Sequence, residues 1–96
     1  MPAEKVSVAI LDDHQSIIDG YLYRLGQTKE IEVVGTATHG EELEPLLARQ
    51  AVDVLLLDLS VRTSGENSNP FPILHIIPKL LQKYSNMSVL VISMYA

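Results

Sequence analysis

VDVLLLDLS, residues Val52 to Ser60, is the stretch that decides the fold of this 96-residue chain. Four apolar residues, Val54 to Leu57, run directly into Asp58. So short and apolar a run suits a strand covered on both faces, the situation of a parallel sheet. Asp58 then stands where the strand leaves the core, and open α/β sheets bind ligands outside the carboxyl ends of their strands. The chain begins in the same way, with VSVAIL (Val6–Leu11) followed by Asp12 and Asp13. Two apolar strands ending in acids predict three carboxylates in one cleft.

The flanking segments agree with this frame. Lys5–Leu11 reads as a strand, and His14–Leu25 carries Ile17, Ile18, Tyr21, Leu22 and Leu25 at helical spacing, with Gly26 as a stop. Ile31–Thr36 is a β-branched strand candidate. Gly40–Gln50 reads as a helix with Leu43, Leu46 and Leu47 inward, and Glu41, Glu42 and Glu44 near its positive end. After Asp58, VRTSGENSNPFP (61–72) has no periodicity and reads as a loop. Ile73–Tyr84 resumes the helical pattern, and Pro78 should kink that helix or lie near its start. Ser88–Ser93 closes the chain as a fourth strand. Strands alternating with helices predict right-handed crossovers and a parallel sheet with helices on both faces.

Composition narrows the chemistry. The chain is a single domain at most, with 47% hydrophobic residues for one core. It has no cysteine, which excludes disulfides and thiolate metal sites. No apolar run approaches the roughly 18 residues of a membrane span, and no leader pattern opens the sequence, so a cytoplasmic protein is expected. A net charge of −5 and seven scattered basic residues argue against nucleic-acid binding by this chain. Neither G-x-G-x-x-G nor G-x-x-x-x-G-K-[ST] occurs, and an acidic first loop would repel a flavin phosphate.

If the first and third strands are neighbours, Asp12, Asp13 and Asp58 converge. Clustered anions repel, and a hard divalent cation with oxygen ligands offsets that repulsion; Mg²⁺ on one or two carboxylates plus phosphate is the usual arrangement. An aspartate in such a site can also attack phosphorus to give an acyl phosphate.

LDDHQ after the first strand, IEVVGTATHGEE across the second, VDVLLLDLS at the third and VLVISM at the fourth together resemble the receiver domain of two-component response regulators. The match is nearest to the NarL/FixJ type, which carries a helix-turn-helix output domain. The resemblance spans nearly the whole chain. It implies a flavodoxin-like (CheY-like) α/β sheet of order 2-1-3-4, continuing in the family to a fifth strand, and phosphorylation by a histidine kinase. It implies Asp58 as phosphoacceptor, Mg²⁺ as cofactor, Asp13 as a direct metal ligand, Asp12 as an acid acting through water, and the Ser60 backbone carbonyl as a further ligand. Ser93 matches the hydroxyl that contacts the phosphoryl group. No enzyme activity is implied beyond self-phosphorylation and self-dephosphorylation on Asp58, and DNA binding is expected of a C-terminal domain outside residues 1–96.

The sequence departs from the family at three points. The fifth strand with its lysine is not in this chain, which reads as a receiver domain truncated after the fourth strand. The turn after the acceptor is replaced by 61–72, and Pro78 interrupts the third helix. These departures keep open a second reading, a non-phosphorylated pseudo-receiver that works as a protein-interaction module. A Mg²⁺-dependent phosphatase would need an acid two residues after its nucleophile, where Ser60 stands. Asp12 and Asp13 have the bland alternative of capping the first helix, and His14 that of an ordinary helix-start residue. An uncovered fourth strand predicts self-association through its edge or the adjacent apolar face.

Overall fold

In the computed structural model, which describes residues 5–92, the apolar runs form four strands: β1 (Val6–Leu11), β2 (Ile31–Ala37), β3 (Val54–Asp58) and β4 (Ser88–Ile92). All pair in parallel, in the order β2-β1-β3-β4. Three helices connect them: α1 (Gln15–Leu25), α2 (Leu43–Arg49), entered through a 3-10 turn at Gly40–Glu42, and α3 (Ile73–Lys83). The expected sheet order is therefore the observed one.

The two-residue period of the strands sorts their side chains into two cores. Ala9 and Leu11 of β1 join Leu55 and Leu57 of β3 on one face, where Leu43, Leu46 and Leu47 of α2 and Ile73 and Leu80 of α3 pack. Val8, Ile10 and Leu56 point to the other face and are covered by Ile18, with Tyr21 and Leu25 beside it on α1. Central strands apolar on both sides are what a sheet with helices on both faces requires.

Two local expectations are refined. The β1–β2 register slips between Val8 and Ala9, leaving Val34 as an extra residue, because Val8 faces Val33 and Ala9 faces Gly35. Such a bulge bends the strand locally. Pro78 lies inside α3, which starts at Ile73 and runs to Lys83. The ring removes the N–H that would bond the Leu74 carbonyl. Both residues are exposed, so water can serve that carbonyl.

Candidate functional site

The register of the two central strands builds the site. Leu11 pairs with Leu57, so one step further Asp12 lies alongside Asp58. Asp58 ends β3 two residues after Leu56, and Asp12 follows β1 two residues after Ile10. The Asp12 backbone N–H donates to the Ala37 carbonyl at 3.0 Å, which holds the end of β1 against β2. Asp12 and Asp58 are only 6% and 5% exposed, and they are the buried charged residues of the described chain.

Each carboxylate is held by short-range donors. Asp12 Oδ1 accepts the His14 backbone N–H at 2.8 Å and lies 3.3 Å from His14 Nδ1. Asp12 thus fastens the entry to α1 rather than its first turn; His14 occupies the N-cap position and makes no side-chain cap. Asp58 accepts the Ser60 hydroxyl at 3.0 and 3.2 Å and the Ser60 N–H at 3.3 Å. Among the described residues Asp58 has no salt-bridge partner. Asp12, His14 and Asp58 each bring one potential ligand atom within 4.8 Å of the others. Two buried carboxylates beside one exposed imidazole form a largely oxygen donor set, which fits a hard divalent cation.

Asp13 is placed differently. Its two oxygens accept Arg62 Nε at 3.1 Å and Nη2 at 3.2 Å, so the carboxylate is turned to the 61–72 loop rather than gathered with Asp12 and Asp58. Ser60 lies in the exposed turn after Asp58. Ser93 falls outside the described residues.

The 61–72 segment is a loop, as its composition implies, but a tightly tied one. Arg62 bridges Pro70 in antiparallel fashion. Thr63 donates its N–H and its hydroxyl to the Asn69 carbonyl, both at 3.0 Å. Gly40 N–H donates to the Arg62 carbonyl and Glu41 N–H to the Thr63 carbonyl, each at 2.8 Å. These bonds dock the loop on the junction between β2 and α2, with Val61 buried beneath it.

Arg62 and His14 are the residues that sequence reasoning did not assign to the site. His14 had one legible signal, its adjacency to the two acids. Arg62 had almost none, since its partner is 49 positions away.

No family model matches the chain. The chain is 29% identical over 92 residues to the transcriptional regulatory protein DegU of Brevibacillus brevis, covering 95% of this chain and 36% of that protein. It is 38% identical over 60 residues to the response regulator UvrY of Escherichia coli K12, covering 62% of this chain and 28% of that protein. Among solved structures, the non-phosphorylated receiver domain of RcsB from Escherichia coli superposes with a TM-score of 0.79 at 24% identity, over 95% of this chain and 66% of that one. The RcsB response regulator of Salmonella typhimurium gives 0.79 at 25% identity, over 96% of this chain and 44% of that one.

The parallel 2-1-3-4 sheet with its flanking helices is thus the receiver fold. The homologues of the chain are two-component response regulators of the NarL/FixJ family. The chain spans little more than a third of the length of the DegU relative. No helix among the described residues is long and apolar enough to cross a membrane.

Proposed function

We propose that the chain is the signal-receiving domain of a cytoplasmic response regulator, and that Asp58 accepts a phosphoryl group from a histidine kinase. The observation that carries this reading is the meeting of Asp12 and Asp58, both buried, at the carboxyl ends of β1 and β3. In the transfer, a carboxylate oxygen of Asp58 forms a bond to phosphorus as the bond from phosphorus to the kinase imidazole nitrogen breaks. The electron pair stays on that nitrogen. For the attack, one Asp58 oxygen must leave the Ser60 hydroxyl that now bonds both. Asp12 and Asp58, with Asp13 and the Ser60 carbonyl as further ligands, would hold Mg²⁺, which when bound offsets the charge on the phosphoryl oxygens. Ser93 would supply a hydroxyl to the same group. Control of transcription would lie with a C-terminal DNA-binding domain beyond residues 1–96.

Two observations favour the alternative of a non-phosphorylated interaction module: Arg62 already occupies Asp13, and the loop after the acceptor is tied down. Incubation with acetyl phosphate and Mg²⁺, followed by intact-mass measurement, separates the readings. The expected result is a gain of one phosphoryl group that is lost in Asp58→Asn. No gain in the parent chain would leave the interaction module standing. Leu90 and Val91 are exposed on β4, and we propose self-association through that edge. Light scattering at high concentration tests it, and a monodisperse monomer counts against it.

A further inference from the structure

We propose that Arg62 is a resident counter-cation of the carboxylate pocket, competing with a divalent cation for Asp13. The inference rests on the metal-binding part of the proposed function and deepens it. Three observations carry it. First, the contact is two-pronged: Nε and Nη2 each meet a different oxygen of Asp13, at 3.1 and 3.2 Å. This is the fork geometry that makes Arg–carboxylate pairs stronger than single contacts. Both oxygens of the expected direct ligand are therefore engaged.

Second, the backbone that carries the guanidinium is fixed. Val61 is fully buried and its carbonyl accepts the Phe71 N–H at 2.8 Å. The Arg62 carbonyl accepts the Gly40 N–H at 2.8 Å, and the residue bridges Pro70. Little chain entropy remains to be lost when the side chain seats itself on Asp13. Third, exposure is unequal: the Asp13 side chain is 13% exposed and that of Arg62 52%. An arriving ion can thus displace the guanidinium into solvent without moving the loop.

Competition follows from charge and from geometry. Arg62 neutralises one of three acids, which weakens the pocket's pull on a second cation. It also occupies the oxygens that the ion would use. Ion binding and the Arg62–Asp13 pair must then weaken each other by one and the same factor.

Calorimetric titration with MgCl₂ at constant ionic strength tests this on the parent chain, on Arg62→Gln and on Arg62→Lys. A partly exposed bidentate pair leads us to expect tightening by about three- to tenfold in Arg62→Gln. The lysine variant keeps the charge without the fork and should show a smaller gain. In the parent, the Arg62 Nε–H resonance should lose its hydrogen-bonded shift as Mg²⁺ saturates. Unchanged or weaker affinity in Arg62→Gln would overturn the inference, as would an Nε–H signal indifferent to Mg²⁺. Absence of ion binding in both the parent and Arg62→Gln overturns it too. Phosphoacceptance is judged separately, by the mass gain on Asp58, so the two can fail independently.

Discussion

Replacing Gly40 with alanine should cost this fold about 2–3 kcal/mol, and the whole cost should come from one aromatic ring. A Cβ built on Gly40 would lie 2.0, 2.1 and 2.6 Å from Cγ, Cδ1 and Cδ2 of Phe71. Ordinary carbon–carbon contact is about 3.5–4.0 Å, so the ring must retreat by about 1.5 Å. Phe71 packs on the larger core beside Ile73, and its retreat would strain Val61 and the loop that carries Arg62. Backbone conformation adds nothing, because among the described residues no glycine has positive φ. Gly20, in the middle of α1, is the internal control: a Cβ there meets nothing within 4 Å. Gly20→Ala should stabilise by about 0.5–1 kcal/mol through helix propensity. Urea unfolding reads both, and with a slope of about 1–1.5 kcal/mol/M the Gly40 variant should lose roughly 2 M of midpoint. Phe71→Ala is itself destabilising, but in that background Gly40→Ala should cost almost nothing, a coupling of about 2 kcal/mol. A Gly40→Ala midpoint within error of the parent, or an equal loss with and without the Phe71 ring, would refute the reasoning.

Ser60→Ala removes the hydroxyl that donates to both oxygens of Asp58. If that bond must yield before attack, phosphorylation by acetyl phosphate should speed up about three- to tenfold, from roughly 1 kcal/mol of released ground-state stabilisation; a slower mass-gain time course would show that the hydroxyl assists instead. Pro78→Ala restores an N–H to the interior of α3 at an exposed position. The regained hydrogen bond should outweigh the loosened unfolded chain by about 1–2 kcal/mol, and a lower melting temperature would contradict it.

Much of the fold was legible because the strands announce themselves by composition. VLLL before Asp58 and VAIL before Asp12 have no polar interruption, and the two cores they build follow directly from alternation. The pairing of Asp12 with Asp58 followed from β1 and β3 being neighbours. The turn of Asp13 toward Arg62 could not be read, because a loop without periodicity carries no record of which acid its arginine will meet. The tied form of 61–72 was hidden for a related reason. The hydrogen bonds that dock it on the rest of the fold run between backbone atoms of Gly40, Glu41, Arg62 and Thr63, and backbone atoms are the same in every sequence. The pattern over Ile73–Tyr84 left two places for Pro78, within the helix or near its start, and α3 runs through it; Leu74 faces solvent, where a lost intrahelical bond can be replaced by water.

Asp53 and Asp58 flank the same strand, and their fates show why chemistry belongs to one end of this sheet. Asp53 is consumed by the backbone. Its Oδ2 accepts the Ser7 N–H at 2.8 Å, its own N–H donates to the Ser7 carbonyl at 2.9 Å, and its carbonyl accepts the Ser88 N–H at 2.8 Å. It ties β1, β3 and β4 together at their amino ends, and its side chain is exposed to water as well. Asp58 is buried, and among the described residues its hydrogen-bond partner is Ser60 alone. A carboxylate left so nearly uncommitted beside Asp12 is a standing cost to the fold, of the kind found where function overrides stability. Asp53→Ala should therefore destabilise by about 1 kcal/mol and leave phosphoacceptance intact. Asp58→Asn should abolish phosphoacceptance while stabilising the fold by about 1 kcal/mol, since it removes one of two adjacent buried charges. Loss of stability in Asp58→Asn, measured without Mg²⁺, would mean that the carboxylate holds the fold together and is not held ready for a ligand.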